Sequence, residues 1–125
     1  MGEKFLIDTN VLIGYIGKVL PVKAQKMLAR IIDEEFNISF INKIEVLSHP
    51  SADKELREFI DLANMYDVTD AIIEKTIEIR RSHKTKLPDA IIAATALVSN
   101  LTLTTRNISD FKNIPGLKLM NPWER

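Results

Sequence analysis

The sequence of 125 residues contains no cysteine and only two histidines, His49 and His83. The absence of cysteine excludes a disulfide scaffold, a zinc–thiolate site, an iron–sulfur cluster and thiol catalysis. With so few histidines, a multi-histidine metal site is excluded as well. A metal ion bound to this chain would therefore have oxygen ligands, and we expect Mg2+ or Mn2+ rather than zinc or copper.

The sequence also lacks an excess of charge of either sign and any long apolar run. Lys and Arg number 17, as do Asp and Glu, so the formal net charge is zero. A nucleic-acid ligand would have to be recruited by a local basic patch, since overall charge would not attract it. No apolar run approaches the roughly 20 residues of a membrane span, and the N-terminus does not resemble a signal peptide. We therefore expect a cytoplasmic protein that does not enter a membrane.

Short β-rich segments alternate with longer amphipathic ones along the chain. Five strands are predicted, at residues 5–7, 37–41, 65–68, 101–105 and 117–120. Helical spacing of apolar residues predicts helices between them, including 53–66, 70–82 (with Ile73 and Ile77 one turn apart) and a nearly all-apolar helix over 89–98. The length and a hydrophobic fraction of 46% fit one domain, residues 1–125. The pattern predicts an α/β fold with a mostly parallel five-stranded sheet and helices on both faces.

Four carboxylates fall just after predicted strands or at the starts of the helices that follow them: Asp8, Glu45, Asp89 and Asp110. Ligand sites in parallel sheets lie at the carboxyl ends of the strands, so these side chains are expected at one edge. Each also has a structural interpretation as a helix cap: Asp8 as an N-cap, Asn42 with Glu45 as a capping box, Asp89 after Pro88 in a first helical turn, and Asp110 as a cap of the short turn that carries Phe111.

Taken together, the four acids favour a metal site. Two carboxylates about 4 Å apart repel by about 4 kcal/mol at an effective dielectric near 20. Several such contacts would cost much of a domain's total stability of about 5–15 kcal/mol. A divalent cation held by oxygen is the simplest counter-charge, and it suits phosphodiester hydrolysis because it activates water and offsets phosphate charge.

The residues around these acids resemble the PIN-domain nucleases, and among them the VapC-type toxins of toxin–antitoxin pairs. The resemblance spans nearly the whole chain. It rests on four segments in order: LIDTNVLI from Leu6, IEVL from Ile44, LPDAIIAATA from Leu87, and LTTRNISDF from Leu103.

The resemblance implies a PIN-like three-layer α/β sandwich and a magnesium- or manganese-dependent endoribonuclease. It also implies an RNA substrate, a homodimer, and a cognate antitoxin that blocks the active site. The implied catalytic and metal-binding set consists of the four acids already named. The implied supporting residues are Thr9, Asn10, Thr105 and Asn107.

A basic run precedes Asp89, and a further arginine follows the fourth predicted strand. These candidates for RNA contact are Arg80, Arg81, Lys84, Lys86 and Arg106. They would bind phosphates without reading sequence, or else they form a solvated helix end that complements the helix dipole. His83 is expected to face solvent. Trp123 either stacks on a base or packs the C-terminal strand or a subunit interface.

Three alternatives remain open on the sequence. A catalytically inactive PIN fold used for binding would usually lack one of the acids, and all four are present. A receiver-like binding module could use Asp67 as its phosphate acceptor, but the paired acids after the first strand are absent. A haloacid-dehalogenase-like phosphatase needs a second acid two residues after Asp8, where this chain has Asn10.

Overall fold

The structure is a computed structural model that describes residues 2–124. Five strands and seven α-helices alternate along these residues, followed by a short 3-10 helix at Pro122–Glu124. The strands are β1 (Phe5–Ile7), β2 (Asn37–Ser39), β3 (Asn64–Tyr66), β4 (Thr102–Thr104) and β5 (Leu119–Met120). The helices are α1 (Thr9–Ile16), α2 (Val22–Glu34), α3 (Phe40–Leu47), α4 (Lys54–Asp61), α5 (Asp70–Ser82), α6 (Leu87–Ser99) and α7 (Ile108–Phe111).

Every hydrogen-bonded strand pair is parallel, which confirms the predicted α/β fold with a parallel five-stranded arrangement. The ladders form two groups, β1-β4-β5 and β2-β3. Asn37 joins the groups, because its buried Nδ2 donates to the carbonyl of Phe5 in β1 at 3.0 Å. Its Oδ1 accepts from Asn64 Nδ2 at 3.1 Å. A side-chain amide therefore replaces backbone pairing where the two groups meet.

Two apolar clusters cover opposite faces of the strands. Successive residues of β1 divide between them: Leu6 packs with α5, α6 and α7 residues, whereas Ile7 packs with residues of α1 and α2. Successive side chains of a strand point to opposite faces, so the strands form a middle layer between two layers of helices.

The boundaries differ from the predicted ones where capping chemistry overrides strand propensity. The strand predicted over 37–41 ends at Ser39, because Ser39 caps α3. Its side chain accepts from the backbone N–H of Asn42, and the Asn42 side chain accepts from the backbone of Ser39. The capping box is thus formed by Ser39 and Asn42, one turn before the expected pair of Asn42 and Glu45.

Two of the predicted helices also need correction. The helix expected over 53–66 ends at Asp61, and β3 begins at Asn64. Helix α5 has the predicted bounds, 70–82, but its buried face carries Ile72, Thr76 and Ile79. Ile73 and Ile77 are instead 44% and 47% exposed, so the apolar pair one turn apart lies on the outer face. No helix within residues 2–124 is long and apolar enough to cross a membrane.

Candidate active site

Asp8 lies directly after β1, at the strand end where the candidate site was predicted, and it also caps α1. Its side chain is 5% exposed. Oδ1 accepts from the backbone N–H of Thr9 at 2.8 Å and from Asn42 Nδ2 at 3.4 Å. Oδ2 accepts from Thr105 Oγ1 at 2.7 Å and from Asn10 Nδ2 at 3.2 Å. Four donors fix the orientation of this carboxylate.

These hydrogen bonds only partly offset the electrostatic cost of the position. Burial raises the pKa of Asp8 above its ordinary value, and the carboxylate of Glu45 raises it further. Hydrogen bonds from Thr105, Thr9 and Asn10 act in the opposite direction, since they favour the charged form. The surroundings of Asp8 in the folded chain therefore disfavour the charged form of its carboxyl group.

Glu45 reaches the same edge from α3. It is exposed, and its Oε1 accepts a 2.6 Å hydrogen bond from Thr9 Oγ1. The Thr9 hydroxyl in turn accepts from Asn42 Nδ2 at 3.1 Å. Thr9 thus connects the two acids, since its hydroxyl donates to Glu45 and its backbone N–H donates to Asp8.

Asn42 is the site residue that sequence reasoning missed. Its side chain is fully buried and contacts both Asp8 and Thr9, while its Oδ1 accepts from Ser39 in the capping box. The sequence signal was present as a Ser-x-x-Asn spacing at Ser39, but it fits an ordinary cap and says nothing about a contact with residue 8. That contact exists only because β1 and β2 are neighbours.

Asp89 lies in the first turn of α6, one residue after Pro88, and is half-buried. Burial raises the pKa of Asp89, and the carboxylates of Asp8, Asp110 and Glu45 raise it further; Lys86 lowers it. The other three predicted acids therefore lie close enough to influence Asp89. Asp89 and Asp110 lie in first helical turns as expected, whereas Glu45 lies in the second turn of α3 and not at the helix start that the sequence predicted.

Asp110 lies in the first turn of α7, which is only four residues long, and its side chain is exposed. The loop before α7 is tied to the Asp8 network: the backbone N–H of Asn107 donates to Thr105 Oγ1 at 3.1 Å. Asn10 joins the same loop, because its Oδ1 accepts from the backbone N–H of Arg106 at 3.1 Å. Of the four supporting residues, Thr9, Asn10 and Thr105 contact an acid directly through their side chains, while Asn107 enters through its backbone.

The donor chemistry of this edge fits a hard divalent cation. All the candidate ligands are carboxylates, and burial, followed by neighbouring carboxylates, raises the pKa of Asp8 and of Asp89. In residues 2–124, however, no three acidic or histidine side chains are gathered closely enough to form a ready metal-binding group. Mg2+ commonly keeps several waters and uses one or two carboxylates, so the donor set suits this ion without a closed cage.

The predicted basic residues separate into three groups. Arg80, Lys84 and Lys86 line one cavity together with His83, and that cavity also borders Asp89 and Asp110. Arg81 is exposed and does not line the cavity. Arg106 does not line the cavity, and its guanidinium carbon lies 4.7 Å from the centroid of the Trp123 ring.

Trp123 packs against α1, which neither of its predicted roles anticipated. A Cβ built on Gly14 would lie 3.3 Å from Trp123 Cζ2, so the ring approaches the helix backbone closely. Glycine permits this approach because it has no side chain. The Trp123 ring is half-buried, and the guanidinium of Arg106 lies over its face.

Comparison with known protein families identifies this arrangement. The model of the PIN domain matches residues 5–117. Because the match covers most of the sequence, the chain belongs to the PIN-domain family. Receiver and dehalogenase-like folds are therefore set aside, and Asp67, the candidate receiver acceptor, is an exposed residue just after β3. No similar protein was found among curated sequences.

Solved structures confirm the expected resemblance to VapC-type PIN domains. A toxin–antitoxin complex from Klebsiella pneumoniae contains a chain 31% identical to this one, with 95% of this chain and 98% of that one covered and a TM-score of 0.76. VapBC2 from Rickettsia felis, bound to a DNA fragment from its promoter, gives 25% identity, coverage of 94% and 97%, and a TM-score of 0.77. VapBC-1 from nontypeable Haemophilus influenzae shares the fold, with a TM-score of 0.79 at 22% identity and coverage of 97% and 98%.

Proposed function

We propose that the chain is a divalent-metal-dependent endoribonuclease and the toxin of a toxin–antitoxin pair. The observation that carries the proposal is the placement of the four acids at one edge of the strands: Thr9 is hydrogen-bonded to both Asp8 and Glu45, and Asp89 and Asp110 line one cavity. Burial and neighbouring carboxylates raise the pKa of Asp8 and of Asp89. Charge concentrated in this way needs a cation, and PIN domains are in general nucleases.

In this proposal the four acids hold Mg2+ or Mn2+, directly or through water. When bound, the cation offsets the negative charge of the phosphodiester and makes water a stronger acid. The chain's own contribution is to orient the ligands. Thr105, Asn10 and the Thr9 backbone hold Asp8 in place, and the Thr9 hydroxyl holds Glu45.

The proposed partner is a protein antitoxin, supported by the complexes in which the similar chains were solved. A suitable surface lies beside α1. Ile13, Ile16, Val46 and Leu56 line a mainly apolar cavity of about 220 Å3. A second cavity of about 360 Å3 shares Ile16 and Leu56 with it. An apolar segment of the antitoxin could cover both, since exposed apolar patches of this kind commonly mark protein interfaces.

The homodimer implied by the family resemblance stays a prediction. Helix α5 offers a surface for it, because Ile73 and Ile77 lie one turn apart and are about half exposed. Sedimentation analysis of the purified chain would test it, with Ile77→Lys as the variant expected to shift the chain toward monomer.

The experiment that tests the activity is induction of the chain in a bacterial host without its antitoxin, followed by sequencing of new RNA 5′ ends. Asp8→Asn is the inactive variant, and Asp33→Asn, an exposed acid on α2, is the matched control. We expect discrete new ends with the wild type and Asp33→Asn, and none with Asp8→Asn. Equal cleavage by all three would contradict the role of Asp8, and no cleavage by any would favour a PIN fold used only for binding.

A further inference from the structure

A cavity of about 600 Å3 lies between the α5–α6 connection and α7, next to the acidic edge. It is within the size range of small-ligand sites, roughly 300–1,000 Å3. One wall is basic, formed by Arg80, Lys84 and Lys86. The rest of the lining includes Asp89 and Asp110 of the acidic edge, the polar side chains of Ser109 and Asn113, and the apolar side chain of Ile114.

The basic wall has charge available for a ligand. Within the described part of the chain, Arg80, Lys84 and Lys86 take part in no salt bridge. Arg80 is partly held in place, because its Nε donates to the carbonyl of Thr85 at 3.3 Å. That bond ties the end of α5 to the connection that carries Lys84 and Lys86, so the three cations belong to one locally braced surface.

Two polar residues of the lining, Ser109 and Asn113, offer hydrogen bonds in place of positive charge. The carboxamide of Asn113 presents a donor and an acceptor side by side, and the hydroxyl of Ser109 presents both in one group. Such groups read the edges of nucleic-acid bases, whereas Lys and Arg contact phosphates without reading sequence. Ile114 adds an apolar contact for the flat face of a ring.

We propose that this cavity binds one unpaired nucleotide of the RNA, next to the phosphodiester that the acidic edge cleaves. The cations hold the phosphate of that nucleotide, and Asn113 with Ser109 contacts the edge of its base. The inference rests on the proposed nuclease function, and it makes the cavity the element that selects the nucleotide beside the cut. A base within a duplex is stacked and would not enter, so single-stranded RNA is the expected substrate.

Binding should be measured in the Asp8→Asn background, because Asp8 does not line the cavity and this change prevents cleavage during the measurement. The probes are labelled single-stranded RNA hexamers that differ at one central position, with a duplex of the same sequence beside them. Fluorescence anisotropy at several salt concentrations gives both Kd and its salt dependence.

Lys84→Ala and Arg81→Ala form the matched pair, since they remove one cation inside the cavity and one outside it. We expect Lys84→Ala to weaken all hexamers about tenfold and to reduce the salt slope by about one phosphate contact, whereas Arg81→Ala changes Kd less than about twofold. Asn113→Ala should instead change the preference among the four hexamers. Equal effects of Lys84→Ala and Arg81→Ala, or duplex binding as tight as single-strand binding, would overturn the proposal.

The two proposals can fail separately. If the wild type cleaves RNA but the cavity variants bind and select as the parent does, the cavity assignment is wrong and the nuclease stands. If no RNA is cleaved while Lys84→Ala and Asn113→Ala alter binding as expected, the nuclease is wrong and the nucleotide site stands. Circular dichroism of each variant excludes unfolding as the cause of lost binding.

Discussion

The hydroxyl of Thr105 donates a 2.7 Å hydrogen bond to Oδ2 of Asp8, although 97 positions separate the two residues in the sequence. The parallel pairing of β1 with β4 creates this contact, because Ile7 lies opposite Thr104 and the two following residues leave the strands together. Thr105 is fully buried, and so is its neighbour Thr104. The hydroxyl of Thr104, however, has no hydrogen-bond partner among the described residues.

The two neighbouring threonines should respond oppositely to replacement by valine. Thr105→Val removes a hydrogen bond to a buried carboxylate, and we expect it to lower the free energy of unfolding by about 1–3 kcal/mol at neutral pH. Thr104→Val removes an unpartnered hydroxyl at unchanged shape, so it should be neutral or stabilising. Urea unfolding with a chelator present measures both. A similar loss in the two variants would show that Thr105 acts through packing and not through Asp8.

Asp89→Asn should stabilise the metal-free chain at neutral pH. Burial, followed by the carboxylates of Asp8, Asp110 and Glu45, raises the pKa of Asp89 in the folded state. A raised acid pKa means that the folded chain binds the proton more tightly than the unfolded chain. Stability therefore falls as the pH rises from the ordinary Asp value through the raised one, and the penalty is complete above it.

The asparagine variant lacks this penalty, so its advantage in Tm should be largest above the raised pKa, should shrink as the pH falls toward the ordinary Asp value, and should be absent below it. Thermal unfolding at a series of pH values in chelator measures the difference. Asp33→Asn is the control, and it should follow the wild type throughout. An Asp89→Asn curve parallel to that of the wild type at every pH would contradict the electrostatic account.

Added Mn2+ or Mg2+ should reverse the order of stability. A ligand that binds only the folded state stabilises it by about 2.7 kcal/mol at 100 times its Kd. We expect the Tm of the wild type and Asp33→Asn to rise with the cation, and that of Asp8→Asn or Asp89→Asn to rise little. A titration followed by thermal unfolding tests this. Equal shifts in all four proteins would locate cation binding away from the acidic edge.

The sequence alone points to the four acids but not to the hydrogen-bond network around them. The positions of Asp8, Asp89 and Asp110 could be predicted because each follows a local pattern, a strand end or a helix start, that is visible within a few residues, whereas Glu45 lies one turn further into its helix than expected. Their role as a metal-binding set stays a prediction. Asn42 could not be predicted, since its contact with Asp8 depends on which strands become neighbours. Likewise, the row of basic residues from Arg80 to Lys86 gave no sign that Arg81 would lie outside the cavity that the others line.

The apolar surface beside α1 gives a test of the antitoxin partner that does not depend on catalysis. Ile16 is 37% exposed, lines both cavities and ends α1, so Ile16→Lys adds a charge to the proposed interface while favouring the helix dipole. We expect this variant to keep its RNA cleavage and to escape inhibition when the antitoxin is co-expressed. Leu62→Lys, at a position 77% exposed after α4, is the control and should still be inhibited. If Ile16→Lys is inhibited as fully as Leu62→Lys, the antitoxin binds elsewhere. If the two variants have equal Tm values and only Ile16→Lys escapes inhibition, the antitoxin binds the surface beside α1.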